Sequence, residues 1–441
     1  MRVAKTLLTA LALASAGPAL AQFTAGAGRA EIALTADMLP IDNFTTILDP
    51  LQARVLLLDS AGKRVAIAVI DQTSIGGDTV AEYKAIVAEQ AKVDPANIWI
   101  VASHSFSAPH VFGGRSGGPP PDQGAMRYKA ALQGALRDAA SLAAKSLRAA
   151  RVGTSVGSSD INVNRNVLTS EGWWHGNNEA GQSDKSVRLV RIEGADKSPI
   201  AVLLNYAVQS SVMDQTGGVN GGKGVTSDLG GAAVQHIEQQ LGGKSVAMFL
   251  TGAAGDQAPH AKALRPVYDK DGKFQQMSPL ANGYSFVAQQ GGQLGAEAVR
   301  QAGAVKPAGR APVLAVVNGS VTLDAQDRPR SLGQIKPTRS YTYPVKGKAE
   351  APYSLMRIGD IVLVGVQAEL NAATGIAIQR RSPFKQTLVV TMVNGAAKYL
   401  PDASGYRDIT YQAMNSSYAP GGAELLADRI VADLRTLKSA K

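Results

Sequence analysis

Two histidines lie close together in the segment Ser103–His110, directly after an apolar run that is typical of a buried strand. The chain contains only 5 histidines, and His104 and His110 place two of them in this one segment. A neutral imidazole at a strand end is a natural zinc ligand, and hydrolytic zinc sites usually combine histidine with carboxylate ligands. The alternative is that His104 caps the strand with a hydrogen bond. The segment therefore indicates either a metal site or a capped strand end.

Two further polar clusters also follow apolar runs. Asn205 and Gln209 follow one run, and Asp228 precedes a helical pattern, where a simple N-cap is the alternative to a functional role. The Gly-rich segment Thr251–His260, which contains Asp256, follows another. Its small residues would let the backbone approach a ligand and offer N–H groups to an anion, although a plain tight turn would look the same.

A lone carboxylate, Glu369, ends a strongly apolar run, and Asn394 and Tyr399 follow the next one. A buried carboxylate is costly unless it is paired or bound to a metal ion. The cluster therefore predicts either a metal ligand or a structural salt bridge.

The elements that must position these residues alternate between strand and helix patterns. Apolar alternation and turn residues predict hairpins at 53–70 and 354–366, further strands at 97–101, 187–192, 200–208, 246–250 and 387–393, and helices at 78–93, 126–147, 229–241, 372–380 and 424–437. The segments 113–121 and 262–283 lack periodicity and are predicted to be surface loops or lids. This order predicts an α/β fold with a layered, mixed β-sheet core flanked by helices, in which ligands bind where strands end.

The amino terminus predicts export. Arg2 and Lys5 precede an apolar run at 7–13, and the small residues Ala19 and Ala21 precede Gln22. This is the pattern of a cleavable signal peptide, so we expect a leader at 1–21, one mature domain at 22–441, and a periplasmic or secreted location. No later run approaches the ~18 apolar residues of a membrane span, so we expect no integral membrane segment. With 0 Cys, disulfides and thiolate metal sites are excluded.

The formal net charge of +10, of which Arg2 and Lys5 contribute two, favours contact with anionic partners. The basic residues are scattered and aromatics make up only 5% of the chain, so a nucleic-acid partner is not expected. Peripheral contact with an anionic envelope surface remains an open interpretation.

Taken together and in this order, the clusters resemble the catalytic domain of the neutral, non-lysosomal ceramidases, which are zinc amidases that cleave ceramide to sphingosine and a fatty acid. The resemblance runs from about Gly26 to the last helix, and the immunoglobulin-like domain of full ceramidases lies beyond the matched residues. Its best matches are the His104 strand end, Asn164-Arg165-Asn166, Asn205-Tyr206-Ala207-Val208, Ser227-Asp228, Gly255-Asp256, Ala368-Glu369, and Asn394 with Tyr399.

The resemblance implies a role for each matched residue. His104, Glu369 and Tyr399 correspond to zinc ligands, and Arg165 to an arginine of the substrate site. Catalytic or orienting roles are expected for Arg165, Tyr399, Asp256 and Asp228, and substrate contacts for Phe106, Asn164, Asn205, Gln209 and Asn394.

Three positions depart from the family pattern. Phe106 stands where the family has the second histidine of the motif whose first histidine is His104. Gln209 stands where the family has the histidine that completes the zinc site. Ala258 stands where the family has a serine in the loop that begins at Gly255-Asp256. Losing an imidazole ligand should cost several kcal/mol of zinc binding, because an amide oxygen is a poorer ligand for this ion. A rebuilt site that uses His104, Glu369, Tyr399 and either His110 or His260 is the resulting hypothesis.

The leading expectation is an exported, metal-dependent hydrolase of amide or ester bonds in a small-molecule or lipid substrate. The alternatives are a non-catalytic protein that binds a lipid or envelope ligand and has lost its zinc, and a hydrolase that uses no metal or cleaves another bond, such as a lactone or glycoside.

Overall fold

The computed structural model describes residues 23–111, 122–308, 311–329 and 331–440. The predicted signal peptide at 1–21 and the predicted loop at 113–121 therefore lie outside the described residues. Within the described part of the chain, no helix is both long enough and apolar enough to cross a membrane.

The strands of the described residues are, in chain order, β1 (Phe23–Glu31), β2 (Phe44–Ile47), β3 (Gln52–Ser60), β4 (Lys63–Ile70), β5 (Ile98–Ala102), β6 (Arg148–Ser158), β7 (Asn162–Thr169), β8 (Gly172–Asn178), β9 (Ser186–Gly194), β10 (Pro199–Tyr206), β11 (Lys223–Val225), β12 (Val246–Thr251), β13 (Gln257–Pro259), β14 (Leu264–Arg265), β15 (Ser278–Pro279), β16 (Leu314–Gln326), β17 (Val345–Ile358), β18 (Ile361–Val366), β19 (Glu369–Leu370), β20 (Gln386–Val390) and β21 (Tyr399–Leu400). The α-helices are α1 (Gly77–Ala91), α2 (Gln123–Lys145), α3 (Asp228–Gln240), α4 (Ser285–Ala304), α5 (Ala372–Arg381), α6 (Ala403–Arg407), α7 (Tyr411–Met414) and α8 (Gly422–Ser439).

Two large mixed sheets carry the fold. The first has eight strands in the order β12-β10-β9-β6-β1-β3-β4-β5, with parallel pairs at both ends and antiparallel pairs between them. The second has four strands in the order β16-β17-β18-β20, of which only the last pair is parallel. Smaller sheets, including β13-β7-β8 and the parallel pair β19-β21, extend from the strand ends.

The molecule is layered as helices, sheet, sheet and helices. The facing sides of the two large sheets form one apolar core, to which Leu203 of the first sheet and Leu363 of the second both belong. Helices α1 and α2 and helices α3 and α4 cover the outer side of the first sheet, and α5 and α8 cover that of the second. Strands such as β4, whose residues Val65–Ile70 are all buried, read as continuous apolar runs because both of their faces are covered.

The predicted layered α/β fold with a mixed sheet is confirmed, and the stacking of two sheets is an addition to it. Both predicted hairpins form, about the turns at 61–62 and 359–360. The five predicted helices correspond to α1, α2, α3, α5 and α8, with ends that differ by at most three residues. The segment 262–283 is mostly loop and contains only the two-residue strands β14 and β15.

Several elements carry too weak a sequence signal to be predicted. Strands β7 and β8 are rich in asparagine, which is uncommon in strands. Helix α4 contains Gly291, Gly292, Gly295 and Gly303, which lower its helix propensity. Two of these glycines allow close packing, because a Cβ at Gly291 would lie 2.5 Å from the Ala232 Cβ and one at Gly295 would lie 2.8 Å from the His236 Cβ, both on α3.

Candidate functional site

The segments that follow several strands meet at one end of the sheets. A parallel bridge joins Ser105, after β5, to Ser210, after β10, and the Phe106 N–H donates to the Ser210 carbonyl at 2.9 Å. Glu369, after β18, lies opposite Tyr399 in the pair β19-β21. The backbone thus brings His104, Gln209, Glu369 and Tyr399 into one region, as the strand-end pattern predicts.

The His104 side chain is almost completely buried and is fixed through both ring nitrogens. Its Nδ1 lies 2.6 Å from the Thr73 carbonyl oxygen, and its Nε2 lies 3.1 Å from Glu369 Oε2. Since a carbonyl oxygen only accepts hydrogen bonds, Nδ1 carries a proton. His104 has φ +61°, an uncommon conformation for a residue other than glycine, and such conformations concentrate at functional sites.

Glu369 and His104 form a buried ion pair. Burial works against both charges, but the Glu369 carboxylate raises the pKa of His104 above its usual range. Burial likewise opposes ionisation of Glu369, but His104 and Arg165 together lower the pKa of Glu369 below its usual range. The Gln209 amide also donates to Glu369 Oε2, at 2.7 Å. One carboxylate oxygen therefore accepts hydrogen bonds from two side chains.

Arg165 and two tyrosines stand next to this pair. The Arg165 guanidinium carbon lies 5.4 Å from the centre of the Tyr399 ring and 5.9 Å from that of Tyr411, within the range of cation–π interaction. Arg165 also donates from Nε and Nη2 to the Gly255 carbonyl, at 3.1 and 2.7 Å. Burial raises the pKa of Tyr399, so its phenol keeps its proton at neutral pH and can donate a hydrogen bond.

A cavity of about 520 Å³, called the cleft below, opens onto this group, and its lining includes His104, Glu369, Tyr399 and Tyr411. Phe106 lines the same cleft and packs edge-on against the His104 ring, with the ring centres 4.8 Å apart. The cleft has the size of a small-molecule site and combines apolar walls with a few polar groups.

The two histidines considered as replacement ligands are not placed with His104. His110 lines the cleft, but its Nδ1 pairs with Asp42. His260 is half-exposed and pairs through Nε2 with Glu179 at 2.9 Å. Neither joins His104 and Glu369, so the rebuilt metal site does not form among these residues.

Three of the expected site residues hold the backbone together instead. Asn205 donates to the Leu250 and Val389 carbonyls, and Asn394 accepts from the Ile100 N–H at 2.9 Å. The Asp228 carboxylate accepts from the N–H groups of Val212, Met213 and Leu229, at 2.6 to 2.9 Å. These contacts give each of the three buried side chains a structural role within the fold.

Asn164 and Asp256 face a different cavity, of about 450 Å³. Asn164 lies on β7 directly before Arg165, where the pairing of β7 with β8 shifts its register between Asn164 and Asn166. Asp256 accepts from the Ala372 N–H at 2.8 Å and from the Asn164 amide at 3.1 Å. Asn164 and Asp256 thus bond to each other beside this second cavity, and their expected roles at the site stay predictions.

The residues do not fit a zinc ion of the kind that the resemblance implies. Within the described ranges, no three His, Asp or Glu side chains are placed to hold a metal ion. Among the candidate ligands only His104 supplies an imidazole, since Gln209 stands where a second one is expected. The Gln209 amide turns its N–H group toward Glu369, because a carboxylate only accepts hydrogen bonds. Zinc sites in enzymes instead combine several histidine, cysteine or carboxylate ligands with an open position for water.

Sequence reasoning missed three residues that shape the site. Thr73 fixes His104 and follows β4, so the strand-end pattern that singled out His104 would also have indicated Thr73. Tyr411 holds Arg165 together with Tyr399, and the His175 ring lies 4.7 Å from Tyr411. Nothing in the local sequence distinguishes Tyr411 or His175, because they come to the site from α7 and β8, elements far apart in the chain.

The fold was compared with known proteins. No family model matches the chain, and no curated protein sequence matches it. Solved structures do match, among them a ceramidase complexed with C2, with a TM-score of 0.73 and 16% identity over 95% of this chain and 75% of that one, and the neutral ceramidase from Pseudomonas aeruginosa, with a TM-score of 0.69 and 16% identity over 95% and 74%. The chain therefore has a ceramidase-like fold.

Proposed function

We propose that this protein is a hydrolase of amide or ester bonds that binds a small-molecule or lipid acyl compound in the cleft. The observation that carries the proposal is that His104, Glu369 and Tyr399 line one cavity, with Arg165 against the Tyr399 ring, in a ceramidase-like fold. Because the residues do not fit zinc, the proposed reaction uses only side chains of this chain.

In this reaction Glu369 accepts a proton from a water molecule while the water oxygen attacks the acyl carbon. The Tyr399 phenol donates a hydrogen bond to the developing oxyanion, and the positive charge of Arg165 supports it. When the tetrahedral intermediate collapses, the bond from carbon to nitrogen or oxygen breaks and the leaving amine or alcohol takes the proton from Glu369. The His104 and Gln209 donors hold the Glu369 carboxylate in place, at 3.1 and 2.7 Å.

The test is release of a carboxylic acid from a panel of N-acyl and O-acyl compounds, including ceramides, by the purified protein. We expect turnover by the wild type and a loss of at least ~100-fold in Glu369→Gln, the usual contribution of a positioned acid or base. Glu179→Gln is the matched control, because it breaks the exposed pair with His260 and leaves the cleft intact. Equal activity in all three proteins would contradict the role of Glu369.

A second function, ligand binding without catalysis, is favoured by the replacements at Phe106 and Gln209. His104 and Gln209 both donate hydrogen bonds to Glu369 Oε2, and these bonds make that oxygen a weaker base. In this case the protein binds an acyl compound at one ligand per chain and releases no product. Calorimetric binding without turnover on the same panel would favour this function over hydrolysis.

We further propose that the protein is exported, which is supported by Arg2, Lys5, the apolar run at 7–13 and the small pair Ala19 and Ala21. Amino-terminal sequencing of the protein from a cell envelope or culture fraction is expected to begin at Gln22. Intact protein that retains Met1 in the cytoplasm would contradict export.

A further inference from the structure

The His104 and Gln209 side chains both donate hydrogen bonds to one oxygen atom of the Glu369 carboxylate. His104 Nε2 lies 3.1 Å and Gln209 Nε2 lies 2.7 Å from Glu369 Oε2. Both distances are those of direct hydrogen bonds, and in the shorter one Gln209 presents an N–H group rather than a lone pair to Glu369. All three residues are at most 6% exposed.

This arrangement balances charge without a metal ion. A buried carboxylate requires a cation or hydrogen-bond donors, and Glu369 obtains two N–H donors directly from neighbouring side chains. His104 is itself held on its other side by the Thr73 carbonyl, at 2.6 Å, so its ring cannot turn away without losing a second bond. Phe106 adds an apolar ring against His104 and offers no ligand.

We propose that Gln209 closes this site to zinc: its amide donates an N–H to Glu369, where a metal ligand would have to present a lone pair. The inference concerns metal content alone and is independent of whether the cleft hydrolyses a substrate. It has a converse. An imidazole at position 209 would present an unprotonated nitrogen where the amide now presents N–H, and with His104 and Glu369 it would complete a three-ligand zinc site.

The first measurement is the metal content of the full-length protein after incubation with zinc and extensive dialysis. We expect far less than one zinc per chain, and a melting temperature that a chelator does not change. About one zinc per chain in the wild type, lost on chelation together with thermal stability, would overturn the proposal. This outcome would mean that the Gln209 amide turns and offers its oxygen to the ion.

The second measurement uses Gln209→His, which we expect to retain about one zinc per chain and to give the visible absorption of tetrahedral cobalt when Co²⁺ is the probe. Gln133→His is the matched control, because Gln133 also donates to a carboxylate, that of Glu82, but on a helix surface. Soluble Gln209→His that binds no more metal than the control overturns the claim that Gln209 alone closes the site. If the variant does not fold, the wild-type measurement decides. Acyl hydrolysis is assayed separately, so failure of the proposed function leaves this result intact.

Discussion

At the scale of single residues, the same sequence feature has two outcomes in this protein. Polar residues at strand ends predict a site, and His104, Glu369 and Tyr399 do line one cleft, with Gln209 bonded to Glu369. Asn205, also at a strand end, bonds only to backbone carbonyls. The sequence cannot separate these outcomes, because a side chain that holds a fold together and one that meets a ligand satisfy the same need for a buried partner.

The ion pair of His104 and Glu369 shows how burial and pairing compete. The pKa of His104 is raised above 6.5 and that of Glu369 is lowered below 4.5. A raised histidine stabilises the fold below its pKa and a lowered carboxylate stabilises it above its own, so both contributions are present at least between pH 4.5 and 6.5.

Asp256 gives the opposite dependence, which is testable. Burial raises its pKa from 3.8 to about 6. Between these values the unfolded chain has lost the proton that the folded protein keeps, so the free energy of unfolding falls as pH rises, by about 3 kcal/mol in total. In Asp256→Asn this contribution is absent. Urea unfolding at several pH values between 4 and 6 should therefore show a smaller decline in the variant, and an equal decline in both proteins would contradict a buried, protonated Asp256.

At the scale of elements, a helix or strand can be predicted from the sequence when the face that packs against the core leaves a regular apolar pattern. Helices α1, α2, α3, α5 and α8 were predicted from apolar spacing, since each packs on a sheet with one face. Helix α4 was missed because its glycines serve contact with α3 rather than helix propensity. Strands β7 and β8 were missed because they form a small sheet outside the two-sheet core, where polar residues suffice.

The contact between β1 and α2 depends on Gly26, as the contact between α4 and α3 depends on the glycines of α4. A Cβ at Gly26 would lie 2.1 Å from the Ala143 carbonyl oxygen and 2.9 Å from the Leu147 nitrogen, both backbone atoms that cannot move independently. Gly26→Ala should therefore lower the free energy of unfolding by about 3 kcal/mol, the upper range for overpacking a core. Denaturant unfolding followed by circular dichroism measures this.

Gly134→Ala is the matched control within α2 itself. A Cβ there has open space within 4 Å, so the substitution should stabilise the helix by about 0.5–1 kcal/mol through higher helix propensity. If both alanine variants had the same effect, close approach of β1 to α2 would not explain Gly26.

At the scale of the whole molecule, the two large sheets behave as one core rather than two domains. Their facing sides share a continuous apolar cluster. Polar bonds also cross between them: the Trp99 indole of β5 donates to the Ser354 hydroxyl of β17 at 2.8 Å, and Asn205 of β10 reaches the Val389 carbonyl of β20 at 2.9 Å.

The site lies where strands from both sheets end, so its geometry depends on how the sheets are joined. A sequence without a clear boundary predicts one core, but the stacking itself requires contacts far apart in the chain.

Asn205 tests this coupling. Asn205→Leu keeps the side-chain volume similar but leaves the Leu250 and Val389 carbonyls without their amide donor in the core, a loss of about 2 kcal/mol. Asn318→Leu is the control, because Asn318 also bonds across elements, to the Ala96 carbonyl at 3.0 Å, but from an exposed position, and should cost less. Hydrogen exchange should show faster exchange in both β12 and β20 of Asn205→Leu, with a single unfolding transition, because the sheets share one core. Faster exchange confined to one sheet would mean that the two sheets open independently, and the cleft residues contributed by each would then not be held in a fixed relation.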